Sequence, residues 1–194
     1  VTANLRAEPL AQLLRHPTGP WQDLALEVHK GDIHFQASGA VDQPLEVSGF
    51  DLRYALRGAE IKQLLPLFNL ILPLEGAYAL SGHFSDRPDG VVFDDLAITF
   101  GESDISGRVS VFRGNLRPIV EAHLYSKQIN LGELLPAREN ESSGAKADRV
   151  IPEYDLPVER MRSIDGKLRF QGKQLQTPAG TLGDISFTAM LKDG

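Results

Sequence analysis

Polar and apolar residues alternate along most of this chain, and the alternation is clearest between Leu80 and Pro136. A period of two places successive side chains on opposite faces of a strand, so each run with this period predicts a strand with one dry face. Turn sequences at Pro88-Asp89-Gly90 and at Gly101–Ser103 separate neighbouring runs. The stretch therefore predicts an antiparallel β-meander. Its four runs are Leu80–Phe84, Val91–Phe100, Asp104–Phe112 and Arg117–Tyr125.

A short leucine-rich segment near Leu131–Leu135 follows the meander and predicts a closing helix. The same form, x-(Leu/Ile)-x-(Gln/Glu)-Leu-Leu, occurs at residues 9–14, 60–65 and 130–135. Each copy follows a strand-like segment, which favours a sheet built from repeats. A helix that merely caps the end of the sheet explains each copy equally well. The two earlier helices are predicted at Leu10–Arg15 and Ala59–Phe68.

Strands are also predicted before the meander. Thr2–Arg6 reads as one strand, and residues 24–28 and 33–37 alternate on either side of Lys30-Gly31-Asp32 as a hairpin. Leu45 and Val47 are then in phase as part of a strand. A bulge at Gly49 lets the phase slip, so that Phe50, Leu52, Tyr54 and Leu56 share a face. A further strand is expected to begin at Leu74.

The chain changes character after the meander. Residues 137–149 contain no apolar side chain larger than alanine and predict a mobile loop. Leu156–Arg162 predicts a turn of helix, and residues 164–171 and 185–192 alternate as a final strand pair joined around 178–183. We interpret residues 1–194 as one β-rich fragment of a longer polypeptide. Its parts are residues 1–72, the meander and its helix at 73–136, the mobile loop at 137–150, and the last strands at 151–194.

Composition and charge narrow the function. The 194 residues are 42% hydrophobic, carry a formal net charge of -6 and include no cysteine. Neutralisation of phosphates supplies most nucleic-acid affinity, so an acidic chain without a basic cluster is not expected to bind nucleic acid. The lack of cysteine excludes disulfides, thiolate catalysis and thiolate metal sites.

Candidate catalytic or metal-binding groups are few. His29 and His34 flank one turn and could both bind a metal. We interpret them as exposed histidines on strands, because no third ligand lies at the spacing that a metal site requires. A cation site could in principle form from the carboxylates of Asp94, Asp95, Glu102 and Asp104. The preference of aspartate for strand starts and turns explains these residues better. No phosphate-cradling glycine loop and no Ser/His/Asp arrangement occurs. We therefore expect neither an enzyme nor a metal or cofactor site.

The strands present more apolar surface than the three short helices can cover. Monomeric proteins rarely expose apolar patches beyond a few hundred Å². Three arrangements satisfy this constraint: two packed sheets, a closed barrel, or a curved sheet whose inner face holds an apolar ligand. The residue pattern by itself does not choose among them.

The meander resembles the C-terminal region of the AsmA family. That family carries a D-D-L…G-x-S-D-(aliphatic)-x-G segment, then R-P…A-x-L-x-S and an L-x-x-L-L helix. This chain has Asp94-Asp95-Leu96, Gly101–Gly107, Arg117–Ser126 and Leu131–Leu135 in that order. Pro73–Gly82 before these motifs and Leu156–Gly194 after them also resemble the family, so the likeness covers most of residues 45–194 and is weaker before them.

The resemblance implies a periplasmic protein of Gram-negative type, anchored in the inner membrane by a helix outside this fragment. It further implies a part in outer-membrane biogenesis and phospholipid homeostasis, and a sheet bent into a taco-like groove along which phospholipid moves. The expected fold is thus mainly β, a curved antiparallel repeat-built sheet with short helices capping strand ends. The expected partners are phospholipid or another acyl-chain lipid, with outer-membrane assembly or membrane-associated proteins as further partners.

The residues expected to line such a groove are the apolar members of the alternating runs. An alternative role is a scaffold for outer-membrane assembly, in which the same residues pack into a closed β core and partners bind sheet edges or the 137–149 loop. The candidate groove residues are Phe50, Leu52, Tyr54, Leu56, Leu80, Phe84, Leu96, Ile98, Phe100, Ile105, Val109, Val111, Val120, Leu124, Leu168, Phe170, Ile185 and Phe187.

Overall fold

The structure, a computed structural model, describes residues 2–7, 19–65, 74–114, 117–134 and 164–192. Within these residues all strands belong to one open sheet of eleven strands. The prediction of a mainly-β fold is confirmed. The strands are β1 (Thr2–Ala7), β2 (Trp21–Lys30), β3 (Ile33–Gln43), β4 (Ser48–Gly58), β5 (Tyr78–Arg87), β6 (Gly90–Phe100), β7 (Ser103–Phe112), β8 (Ile119–Ser126), β9 (Ile129–Asn130), β10 (Asp165–Thr177) and β11 (Gly180–Leu191).

Strand order follows chain order from β1 to β8, and then β10 and β11 complete the sheet, with the short β9 beside β10. The meander prediction is confirmed, because β5 to β8 are consecutive antiparallel neighbours. Among the described strands, β10 runs parallel to β8 and β9, which the purely antiparallel expectation did not include. A parallel pair needs a long crossover connection. Here that connection passes through residues 135–163, outside the described residues, where the predicted 137–150 loop and 156–162 helix also fall.

Two local predictions before the meander are wrong in detail. Leu45 and Val47 do not continue a strand: Pro44–Glu46 is a 3₁₀ turn, Val47 has a left-handed backbone, and their side chains are 68% and 70% exposed. Pro44 at the first position of the turn has its φ already restricted to a helical value, which favours the turn over the strand. The helix expected over Ala59–Phe68 is reduced to a 3₁₀ turn at Ile61–Gln63, with residues 66–68 outside the described part.

The remaining element ends shift slightly. Strand β5 begins at Tyr78 rather than at Leu74, and the last two strands are joined by only Pro178 and Ala179. The closing helix is present as α1 (Leu131–Leu134). Strand β1 confirms the strand expected at the start, while the predicted helix at Leu10–Arg15 lies outside the described residues.

Two strand units of the sheet share an irregularity. Asp23 in β2 and Asp95 in β6 both have positive φ, 55° and 51°. At each of them the register with the following strand shifts, between Trp21 and Leu24 and between Phe93 and Leu96. A β-bulge of this kind bends a strand and increases its twist. The β2–β4 and β6–β8 units thus repeat one structural plan, which supports a repeat-built sheet.

A glycine stands opposite each bulge. Leu24 pairs with Gly39, and Leu96 pairs with Gly107. Both glycines have positive φ, and a Cβ on Gly107 would lie 2.1 Å from the carbonyl oxygen of His123 in β8. No larger residue fits there unless the β7 and β8 backbones move apart, so this glycine sets how closely the two strands pair.

The buried core of the described residues lies at one end of the sheet. Ile61 and Leu65 from the 3₁₀ segment pack with Leu74, Tyr78 and Phe100. The backbone N–H of Ile61 donates to the carbonyl of Gly76 at 2.9 Å, which holds the segment over the strand ends. This cap covers only the end of the sheet where β4 stops and β5 starts, and the rest of the same face extends beyond it.

Candidate functional site

One face of the sheet is apolar across its full width from β2 to β11. Directly paired residues in neighbouring strands project to the same face, so the register identifies its members. Leu52 pairs with Phe84, Phe84 with Phe93, and Phe93 with Val109. Ring contacts agree with this assignment: the Phe50 and Phe84 centroids are 6.2 Å apart, and those of Phe84 and Phe93 are 5.1 Å apart. We call this surface the apolar face.

All eighteen residues predicted to line a groove lie on the apolar face. The register chain continues from Val111 to Val120 and from Leu124 to Phe170, and ends with Phe170 opposite Phe187. In that last pair the rings stack with centroids 5.3 Å apart. Their common location is therefore established by strand pairing. Their role in binding lipid stays a prediction.

The apolar face is only partly shielded from solvent. Of the eighteen side chains only Phe100, in the core cap, is buried, at 6% exposure. The others are half-buried, except Phe187, which is 49% exposed. Because every described strand belongs to the same sheet, no second sheet among them covers this face. The alternative expectation of a packed two-sheet core is therefore wrong for the described residues.

The opposite face, which we call the outer face, carries the charged side chains. His83 Nε2 lies 2.7 Å from Asp51 Oδ1, and Arg108 Nε lies 3.2 Å from Asp94 Oδ1. These pairs join neighbouring strands on a solvent-exposed surface, where each contributes about 0–1 kcal/mol. The charge pairs of the outer face are therefore ordinary solvated contacts, whereas Ser85, Val92 and Ser110 on the same face are buried.

The sequence-level metal candidates have structural explanations. The rings of His29 and His34 meet edge to face with centroids 4.5 Å apart, and His29 pairs with Glu27. Asp104 accepts hydrogen bonds from the backbone N–H groups of Lys127 and Gln128 and so fixes a turn. Within the described residues no group of three or more potential ligands gathers.

Comparison with known proteins gives one informative match. The chain is similar to AsmA family protein YhjG of Escherichia coli (strain K12), with 24% identity over 190 residues. The similarity supports AsmA family membership. The match covers 86% of this chain but only 28% of the relative, so the chain spans under a third of that protein's length. No family model matches the chain. No solved structure matches it either.

The AsmA resemblance seen in the motifs is thus confirmed, and the motifs can be placed on the sheet. Asp94-Asp95-Leu96 is the bulge of β6, and Gly107 is the glycine opposite it. These two motif segments therefore shape the sheet. In the described part of this AsmA-like chain no helix is long and apolar enough to cross a membrane.

Several apolar-face residues were missed by the sequence analysis. Strict alternation would put Phe93 and Val91 on the opposite face from Leu96 and Ile98. The bulge at Asp95 adds one residue to the strand and brings all four to the same face. The sequence signal available was the Asp-Asp pair inside an otherwise apolar strand. Further missed members are in β2 and β3. Leu24, Leu26, Val28 and Phe35 belong to runs whose alternation was recognised but not assigned to the groove, and Trp21 and Val41 lie outside those runs.

Tyr54 places a titratable probe on the apolar face. Its ring lies over Gly82 of β5, its cross-strand partner. Burial raises the pKa of the Tyr54 phenol above the ordinary 10.0. Burial, followed by the charge of Asp32, also raises the pKa of Tyr78. A phenol with a raised pKa stabilises the folded chain below pH 10, and that contribution is lost as the pH rises through its folded pKa.

An acyl chain on the apolar face is expected to raise the pKa of Tyr54 further, because it removes more water from the phenol. The measurement is a tyrosinate absorbance titration with and without bound lipid. The Tyr54→Phe variant identifies the component that moves. An identical Tyr54 titration with and without lipid would place the lipid elsewhere.

Proposed function

We propose that this chain is a non-enzymatic lipid-binding segment of an inner-membrane-anchored, periplasmic AsmA-like protein that takes part in outer-membrane biogenesis and phospholipid homeostasis. Acyl chains of a phospholipid lie on the apolar face and move along it. The observation that carries the proposal is a continuous, half-exposed apolar surface on an open sheet. The AsmA similarity supports the periplasmic setting and the membrane anchor.

The energetics favour sliding over tight capture. Burying an acyl chain contributes about 0.8 kcal/mol per CH₂. The nine long strands from β2 to β11 stand about 4.8 Å apart, so the apolar face is about 40 Å across. Its lining changes little in character from strand to strand, so a chain that moves across one strand exchanges one hydrocarbon contact for another. The lipid thus remains bound while the barrier between neighbouring positions stays low.

The proposal is non-enzymatic because the apolar face offers hydrocarbon where catalysis needs converging polar groups. Tyr54 contributes a hydroxyl to the face, and burial raises its pKa above the ordinary 10.0, so the phenol is not a base at neutral pH. The ionisable pairs His83–Asp51 and Arg108–Asp94 lie on the outer face. Binding and transfer therefore account for the surface without a covalent step.

Mass spectrometry of the purified chain tests the proposal. We expect phospholipid to co-purify after isolation without detergent, and to be displaced by added acyl-chain lipid. A lipid-free preparation that also fails to take up added phospholipid would contradict the function. The matched control is a protein of similar size and charge, purified in parallel from the same cells.

A second candidate function, contact with a protein partner, is favoured by β11. Its outer side is unpaired in the described sheet, and Leu182, Phe187 and Met190 are 56%, 49% and 73% exposed. Asp184 is the one charged residue within the strand. A long edge with so few charges is suited to strand addition by another polypeptide. Photo-crosslinking from position 190 in cells is expected to yield a discrete adduct that is absent when the label stands at Ala97.

A further inference from the structure

An uncovered depression lies at the end of the sheet where β6 begins and β7 ends. Its volume is about 510 Å³. Val91 and Val111, a directly paired couple on the apolar face, form part of its lining. Arg113 and Arg117, from the connection between β7 and β8, form another part. The hydrocarbon surface thus leads into a site with two guanidinium groups.

The side chain of Arg117 has an unpartnered nitrogen at this site. The Nη1 atom of Arg117 is buried and has no hydrogen-bond partner among the described residues. The ion pairs found among the described residues include Arg108 but neither Arg113 nor Arg117. A buried guanidinium nitrogen without an acceptor is unfavourable, so a bound water or anion is expected to supply the acceptor.

The backbone keeps both arginines at this end. The N–H of Arg113 donates to the carbonyl of Asp89 in the β5–β6 turn at 2.8 Å. Gly114 approaches Arg117 so closely that a Cβ on it would lie 2.0 Å from the Arg117 carbonyl oxygen. The connection is therefore tight, and position 114 has no room for a side chain. Of the nearby acidic residues, Asp165 is engaged in an interaction of its own.

We infer that this depression binds the phosphate of a phospholipid whose acyl chains lie on the apolar face. Guanidinium groups bind phosphate oxygens in bidentate pairs, and they do so best where water is partly excluded. An acidic chain of net charge -6 otherwise repels an anionic headgroup, so a local pair of arginines is needed to receive one. The inference rests on the proposed function and adds that the lipid lies with its headgroup at the β6–β7 end.

Two soluble lipids with the same acyl chains test this inference: dioctanoyl phosphatidylglycerol, which has a phosphate, and dioctanoylglycerol, which lacks one. Calorimetry with the chain is expected to show about tenfold tighter binding of the phosphate-bearing lipid. The R113Q/R117Q variant is expected to bind both lipids equally, with its affinity for dioctanoylglycerol unchanged. The R113K/R117K variant retains the two charges but not the planar guanidinium groups. Its preference for the phosphate-bearing lipid is expected to be intermediate between those of the wild type and R113Q/R117Q.

The matched control is R57Q/R169Q, which removes the same charge from exposed positions on the outer face. It is expected to retain the full preference. Circular dichroism verifies that each variant is folded. Inorganic phosphate should compete with phosphatidylglycerol and not with dioctanoylglycerol.

The outcomes separate the two proposals. Binding of both lipids without preference, or a preference that survives in R113Q/R117Q, overturns the headgroup site and leaves the lipid-binding function standing. Binding of inorganic phosphate at these arginines without any lipid preference shows a free anion site and also overturns the inference. If the wild-type chain binds neither lipid, the proposed function and the inference both fail.

Discussion

Replacement of Leu52 by aspartate is expected to lower the affinity for acyl-chain lipid about a hundredfold. Leu52 lies on the apolar face, opposite Phe84. A carboxylate there would have to lose its hydration beneath a bound acyl chain, and no cationic group of the apolar face is at hand to compensate. Its side chain is half-exposed in the free chain, so the charge remains hydrated without lipid and folding is preserved. Val109→Asp is expected to act in the same way.

The matched controls place the same charge on the outer face of the same sheet. Ala55 and Ala97 are exposed. Both pair with Ser81 of β5, from its two sides, so both lie on the outer face. Ala55→Asp and Ala97→Asp are expected to leave lipid binding unchanged. Ile98 is a poorer choice than Leu52, since it packs against the buried core and a charge there would also reduce stability. Equal losses in lipid affinity from both faces would contradict the assignment.

Gly107→Ala is expected to destabilise the chain by about 3 kcal/mol. The backbone of Gly107 has a φ of 143°, and the added Cβ would lie 2.1 Å from the carbonyl oxygen of His123. Relief of this contact requires separation of β7 from β8, which would disrupt the ladder at the centre of the meander. Chemical denaturation, followed by circular dichroism, measures the change in the free energy of unfolding.

Gly183→Ala is the control for this prediction. Gly183 also lies in a strand, but the nearest atom to its added Cβ would be the Lys173 carbonyl oxygen at 3.8 Å. The expected change in stability is within about 0.5 kcal/mol. Equal destabilisation by the two substitutions would show that Gly107 has no special role in strand pairing.

Alternation alone was enough to predict most of the sheet, because one-sided burial enforces a period of two. It placed the strands of the meander and the final pair, and all eighteen groove candidates fall on one face as a result. Alternation fails where the backbone is irregular. Phe93 was missed because a left-handed Asp95 adds one residue to β6, and Leu45 was misassigned because Pro44 favours a turn.

Other features depend on contacts between distant parts of the chain. The parallel pairing of β10 with β8 joins Asp165 to Ile119 across a long connection, and no local pattern specifies such a pairing. The alternation also could not predict that the apolar face is exposed, because a packed two-sheet sandwich has the same alternation. The arginine pair was not recognised either, because no local pattern indicates that Arg113 and Arg117 line one depression with Val91 and Val111.

Tryptophan fluorescence with a lipid brominated on its acyl chains tests the central claim most directly, since bromine quenches only indoles that it contacts. Trp21 is the chain's single tryptophan, so Trp21→Phe provides a silent background. Leu96 and Ala97 are adjacent in β6 and project to opposite faces. We predict strong quenching for Leu96→Trp and almost none for Ala97→Trp in that background. Equal quenching at the two positions, or none at either, would contradict the assignment of the apolar face as the lipid-binding surface.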